Sequence, residues 1–261
     1  LRKEQKLKPF TKSTALSSGW AWEINLANRV GNGYVYSDQF IDEQQAEAEL
    51  LAHLNLPSLN EHKFNHIKMS PGRVDKHWNK NCLSIGLSGG FIEPLESTGI
   101  YLIELSLKYF IDHFPVKYTS QAIIDSYNTN LNDVYDELKD FIVLHYCISD
   151  RDDTPFWRAA QKTLDNETSL QKLIEKFKYK TPKTTDFTGS KVLFNAFNYQ
   201  FILFGMNKLP DLSKTFLATT KQEDGDILFD RIIQFSEQAK KMHMNHNDSI
   251  QKITAPFKGI N

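Results

Sequence analysis

Glu96, Ser97, Thr98 and Gly99 stand together within "GGFIEPLESTGIYLIELSLKYFIDHFP" (89–115), where a glycine-rich turn runs into an apolar helix. A helix starting near Thr98 would present unpaired backbone N–H groups and the positive end of its dipole at Thr98 and Gly99, a setting that holds a small anion. Gly89 and Gly90 let backbone approach a flat ligand closely, because no Cβ stands in the way. Glu96, flanked by Leu95 and Ser97 at the same mouth, is a carboxylate in partly apolar company and a candidate general base. An ordinary helix start capped by Ser97 or Thr98 accounts for the same letters.

Other residues offer chemistry of different kinds. Gly86-Leu87-Ser88-Gly89-Gly90 satisfies G-x-S-x-G, the nucleophile elbow of serine hydrolases, but Pro94 and "EPLEST" delay the helix that an elbow requires immediately after Ser88. Trp20 and Trp22, two residues apart on one strand face, would project side by side about 6.5 to 7 Å apart and wall off a flat ligand, or else pack a core. His62 with His66 and His243 with His246 have helical spacing but no adjacent carboxylate in a metal-binding pattern, so no metal is expected. Gly31-Asn32-Gly33 fails as a dinucleotide fingerprint, because Tyr36 stands at the sixth position.

The elements that must position these groups change character along the chain. Alternation over Trp20–Leu26 predicts a strand, and Asn32-Gly33 between β-prone runs predicts a hairpin turn. A helix follows from about Asp42 and stops before Pro57; "FNHIKMSPGRV" and "NCLSIGL" read as two further strands, the second ending at Leu87. Ile103, Leu107, Phe110, Ile111 and Phe114 then repeat at helical spacing up to Pro115 and predict a buried face. Helices are expected over 120–148, from the Asp153 or Thr154 cap with Pro155, and over 167–179, 191–205 and 226–243. The first 115 or so residues are mixed and the remainder mostly helical.

The 261 residues are 40% apolar and 24% charged with a net charge of −1, which allows a real core and provides no global field for nucleic acid or an anionic membrane. No run approaches the roughly 20 apolar residues of a membrane span. Lys172–Lys183 is locally basic and reads as a solvated face. Cys82 and Cys147 form no framework, and a reducing, cytoplasmic compartment is the reading. Leu1 in place of methionine, ahead of "RKEQKLKPF", leads to the expectation that residues precede it.

Taken together these stretches resemble the flavin-dependent tryptophan halogenase family. "GWAWEI" (19–24) is similar to that family's W-x-W-x-I-P signature, and "GFIEPLESTGI" (90–100) to its halide and substrate motif. "NRVGNGYVYS", "DFIVLHY" (140–146) and "RDDTPFW" (151–157) follow in the expected order. The resemblance covers nearly the whole chain and about the second half of a family member. It implies an α+β fold: residues 1–115 as part of an FAD-dependent monooxygenase-like core of mixed sheet and helices, and 116–261 as a helical region covering the substrate.

The resemblance also implies the chemistry. Reduced FAD, supplied by a flavin reductase, reacts with oxygen to a flavin hydroperoxide; chloride or bromide takes the distal oxygen, and hypohalous acid passes by way of a lysine to an aromatic substrate. By motif position Thr98 and Gly99 would hold the halide, Leu87 and Ile100 would touch the flavin, and Glu96 would take the ring proton while Ser97 steadies the lysine. Trp20 and Trp22 would screen the flavin from the substrate. Asn25 replaces the signature's proline. The family's glycine-rich loop and lysine are expected ahead of Leu1, so the chain alone is expected to be inactive. Phe194 stands where free-tryptophan enzymes carry a stacking tryptophan, and Tyr179 alone where they use a tyrosine pair, which points to an indole or another electron-rich arene. A homodimer is compatible with this reading. The rival readings are a non-catalytic module of the same fold and a serine hydrolase using Ser88.

Overall fold

The computed structural model describes residues 8–26, 29–57, 62–114, 120–164, 169–187, 193–211, 213 and 222–255. They fall into two compact units, residues 1–61 with 212–261, and residues 62–211. The break expected at 115 falls inside the second unit, outside the described residues, and the change from short strands to helix comes earlier, at Gly99.

The first unit carries an antiparallel sheet in the order β1-β2-β3, with β1 Lys12–Leu16, β2 Gly19–Asn25 and β3 Val30–Tyr36. Trp20 pairs with Ala15 and Val35, and Trp22 with Ser13 and Gly33. Asn32-Gly33 is thus not a turn: both residues lie inside β3, opposite Glu23 and Trp22. The glycines serve the indole instead, since a Cβ on Gly33 would lie 2.4 Å from Trp22 Cε2 and one on Gly31 3.2 Å from Trp22 Cζ3. Helix α1 (Glu43–Leu54) starts at a capping box of Asp42 and Gln45 and ends with Asn55 in the left-handed region. Its Glu49 accepts hydrogen bonds from Ser17 N (2.8 Å), Ser17 Oγ (2.7 Å) and Tyr34 Oη (2.9 Å), tying α1 to the β1–β2 turn. Burial, with Glu49 beside it, pushes the Tyr34 hydroxyl up to about 12. Helices α7 (Gln222–Met242) and α8 (His246–Thr254) belong to the same unit.

In the second unit the expected strands shrink to two-residue bridges. β4 (Gly72–Arg73) pairs with β7 (Gly90–Phe91), and β5 (Trp78–Asn79) with β6 (Cys82–Leu83). Leu87, expected at a strand end, lies in a 3₁₀ turn over Gly86–Ser88. Helices fill the rest: α2 (Gly99–His113), α3 (Gln121–Cys147), α4 (Pro155–Gln161), α5 (Ser169–Phe177) and α6 (Ala196–Gly205). Thr154 caps α4 and Pro155 opens it, as the sequence indicates. Among the described residues no helix is long and apolar enough to cross a membrane.

The core of this unit is the buried face of α3: Tyr127, Leu131, Val134, Leu138, Phe141 and Leu144. On α2 the inward residues are Leu102 and Ser106, whereas Ile103, Leu107, Ile111 and Phe114 are exposed, Ile111 at 71%. The helical periodicity holds, but α2 is apolar on more than one side, and spacing alone does not say which side packs. Phe110 does turn inward, meeting Trp78 edge-on at 5.2 Å. In the lysine-rich stretch Lys176 and Lys180 both pair with Asp186, at 3.1 and 2.6 Å, so part of its charge is neutralised internally.

Replacing Gly33 by alanine forces its methyl into the Trp22 indole and is expected to cost about 1–3 kcal/mol. Gly72→Ala, whose added Cβ meets nothing within 4 Å, is the control and should stay near wild type. Urea unfolding followed by tryptophan fluorescence separates the two; equal midpoints would contradict the glycine–indole contact.

Candidate functional site

The segment from Gly72 to Thr98 has few backbone hydrogen bonds of its own, and one face of α3 supplies the missing partners. Asn128 accepts from Trp78 N at 2.7 Å and donates to Trp78 O at 2.9 Å, so one amide replaces a neighbouring strand at β5. One turn on, Asn132 donates to Asp75 O at 3.1 Å, and a further turn on Asp136 takes both Arg73 Nε (3.3 Å) and Nη2 (3.1 Å). The spacing of 128, 132 and 136 is the i, i+4 row of a helix.

At the next level of the segment lie the two glycines. A Cβ on Gly89 would come 2.8 Å from His77 Nδ1 and 3.0 Å from Ser84 O; one on Gly90 would come 2.8 Å from Tyr135 Cε1. The His77 ring stacks on Tyr135 at 5.2 Å and is only 1% exposed. Gly-Gly is thus required by the stacked pair beneath it. Neither His77 nitrogen has a hydrogen-bond partner, and burial, with Arg73 second, holds the imidazole below its ordinary value of 6.5.

The carboxylates of "EPLE" are held by two consecutive residues at the end of α3. Tyr146 Oη donates to Glu93 Oε1 at 2.7 Å, and His145 Nε2 meets Glu96 Oε1 at 2.8 Å. Between them Pro94–Glu96 forms a 3₁₀ turn, closed by Ser97 N donating to Pro94 O at 2.9 Å. Ser97 sits at φ 55, the left-handed region, which costs a non-glycine residue on the order of 1 kcal/mol and reverses the chain into α2. Thr98 is the N-cap of α2 but makes no side-chain cap, and Gly99 faces open space. The first amides of a 15-residue helix therefore lie beside a fixed carboxylate. On the same surface Gly86, at φ 63, packs against Ile103, and Leu87 and Ile100 are each 83% exposed.

The other sequence candidates fall elsewhere. Phe194 is 6% exposed and stacks on Phe141 at 3.8 Å, one ring behind His145, which meets Phe141 edge-on at 5.1 Å. Tyr179 is exposed. Ser88 Oγ donates to Ile85 O at 2.9 Å and accepts from Ile85 N at 3.0 Å. Its hydroxyl closes its own turn rather than facing a base, and the elbow is set aside. Trp20, 5% exposed, and the half-buried Trp22 belong to the first unit. A cleft of about 600 Å³ at the end of α3, bounded by Cys147, Gln161, Phe177, Lys178 and Lys208, includes none of the "EPLEST" residues. Sequence reasoning missed His145, Tyr146 and His77. "DFIVLHY" contained the first two, but only the folded chain brings them to Glu96 and Glu93.

The chain matches the tryptophan halogenase family over residues 1–222. It is 35% identical over 228 residues to the tryptophan 7-halogenase RebH of Lentzea aerocolonigenes, covering 83% of this chain and 43% of that protein. Among solved structures, a tryptophan halogenase from Shewanella frigidimarina superposes with a TM-score of 0.84 at 29% identity, over 95% of this chain and 48% of that one. BrvH, a flavin-dependent halogenase from Brevundimonas sp. BAL3, superposes with a TM-score of 0.72 at 37% identity, over 80% of this chain and 42% of that one. The chain thus spans less than half the length of each of these relatives.

His77 gives the site segment a predictable acid response. Above pH 6.5 folded and unfolded chains both carry a neutral imidazole; as pH falls below that value the unfolded chain takes the proton first, so stability declines until the lowered folded value is reached. Melting temperatures between pH 7.5 and 5 should fall more steeply for wild type than for His77→Phe. Parallel slopes would remove His77 as the cause.

Proposed function

The chain belongs to the tryptophan halogenase family, and from that premise we propose that it carries the halide-binding and substrate-facing part of an FAD-dependent enzyme that places chlorine or bromine on an indole or another electron-rich arene. The carrying observation is the fixed Glu96 carboxylate, 2.8 Å from His145, beside the uncapped start of α2.

Each residue has a task its surroundings support. The amides at Thr98 and Gly99, with the positive end of the α2 dipole, suit a halide ion, and the absent side chain at Gly99 leaves it access. Leu87 and Ile100 offer an exposed apolar edge that fits the rim of a flavin ring, and no charged group in this turn competes for it. When bound, reduced FAD would activate molecular oxygen, the oxidant that converts halide to hypohalous acid, with a separate reductase delivering the electrons to the flavin. Glu96 takes the proton that the halogenated ring must lose to become aromatic again. Ser97, in its left-handed turn, sets the direction of that carboxylate against the helix start and would steady the lysine that the family resemblance implies. By the family resemblance Trp20 and Trp22 would screen flavin from substrate, and the Trp22 indole is seated on Gly33. A monooxygenase-like flavin core is the architecture this assignment implies for the whole protein. Phe194 is assigned to the substrate region by its position in the family pattern, and its ring packs on Phe141.

The test is the protein expressed from its full reading frame with a flavin reductase, bromide and a panel of indoles, read by mass spectrometry. Glu96→Gln should cut product formation about 100-fold or more, as loss of a general base does, with flavin binding retained. Unchanged turnover would take Glu96 out of its role, and free tryptophan outcompeting indole would overturn the substrate assignment.

A further inference from the structure

Resting on the reading of Glu96 as proton acceptor, we propose that His145 is a positioning residue that selects which oxygen of that carboxylate does the work. Its Nδ1 lies 2.8 Å from the Phe141 carbonyl oxygen, which can only accept, so Nδ1 carries hydrogen. Its Nε2 lies 2.8 Å from Glu96 Oε1. Two lone pairs do not approach so closely, and a proton therefore sits on the Nε2–Oε1 line. Oε1 is engaged; Oε2 is the oxygen left for a substrate. The His145 side chain is 12% exposed and that of Glu96 28%, so the imidazole is the inner partner and the carboxylate the outer one.

The packing prevents either partner from turning away. The imidazole stands at 88° to Phe141, and Phe141 is itself held between Phe194 at 3.8 Å and Tyr199 at 5.0 Å. On the loop side the Tyr146–Glu93 hydrogen bond at 2.7 Å anchors the other end of the turn that carries Glu96. Rotation of the carboxylate would break the Nε2 contact, and rotation of the ring would break the Nδ1 contact.

In the reaction the ring carbon bearing the new halogen loses its hydrogen, the C–H electron pair returns to the ring, and the proton passes to Oε2. The proton on the Nε2–Oε1 line stays in place. Besides the Nδ1 hydrogen, which does not move, the pair then holds two protons and returns to one when Oε2 releases its proton to water; no oxidant or further reactant enters this step.

Two substitutions and one spectrum test this. In the full-length protein with reductase, bromide and indole, His145→Leu should lower kcat about tenfold or more with KM little changed. His145→Gln, whose amide nitrogen reaches the place of Nε2, should restore kcat to within about threefold of wild type. Nitrogen-15 NMR of the imidazole in this chain should show that Glu96→Gln moves the Nε2 resonance of His145 and leaves Nδ1 nearly in place. An Nε2 resonance indifferent to Glu96→Gln, or Leu and Gln variants equally impaired, would overturn the assignment. If His145→Leu turns over normally while Glu96→Gln is dead, His145 loses its role and Glu96 keeps its own; a fully active Glu96→Gln would instead sink the base reading.

Discussion

Side chains spread along α3 hold the 72–98 segment in shape. Asn128, Asn132 and Asp136 bind the backbone and Arg73 of the 72–80 stretch, Tyr135 stacks under the glycines through His77, and His145 and Tyr146 take the two carboxylates of "EPLE". The segment has only two-residue ladders, so its buried polar backbone depends on these partners. Side-chain hydrogen bonds of this kind contribute about 0.5–1.5 kcal/mol each, and more when an ion is involved, but leaving a buried partner unpaired costs about 1–3 kcal/mol. A helix with a complete hydrophobic face can bear that load; Tyr127, Leu138 and Phe141 are fully enclosed on its inner side.

This arrangement reconciles two needs that conflict in an ordinary loop. A site that takes a bare anion and a flat ring requires open backbone, small residues and an uncapped helix end, each of which weakens local structure. Ser97 in the left-handed region, Gly99 against empty space and Thr98 without a side-chain cap are such concessions. They are tolerated because order is imposed from behind, by rigid aromatic packing and charged hydrogen bonds, rather than by the segment itself. The proposed binding geometry is then preorganised without closing the mouth.

The helices were legible from the chain and the site motif was legible as a motif, for physical reasons. Capping residues such as Asp42 and Thr154, and the start of α2 at Thr98, are local signals and lie where the sequence puts them. Asn32-Gly33 misled because a turn signal and a glycine needed beneath an indole look alike until the cross-strand partner is known. "NCLSIGL" has strand-like residues, yet only Cys82–Leu83 joins a ladder, with Trp78–Asn79, and the bonds that follow go to His77 and Ser88 nearby, while the neighbouring Trp78 bonds to Asn128 on a helix that no window can contain. Similarly Glu96 stood out by its company, whereas His145, 49 positions later and half-buried, had nothing local to mark it. Phe194 stacks on Phe141, a partner on α3 that no local pattern marks.

The central claim is that this held-open helix start, with Glu96 fixed beside it, is built for a halide ion. A crystal structure of the protein grown in bromide, with anomalous data collected at the bromine edge, tests it most directly. The account predicts an anomalous peak within hydrogen-bonding distance of the Thr98 and Gly99 amides, with the Glu96–His145 contact intact. No peak there at saturating bromide, or amides covered by a neighbouring side chain, would contradict it.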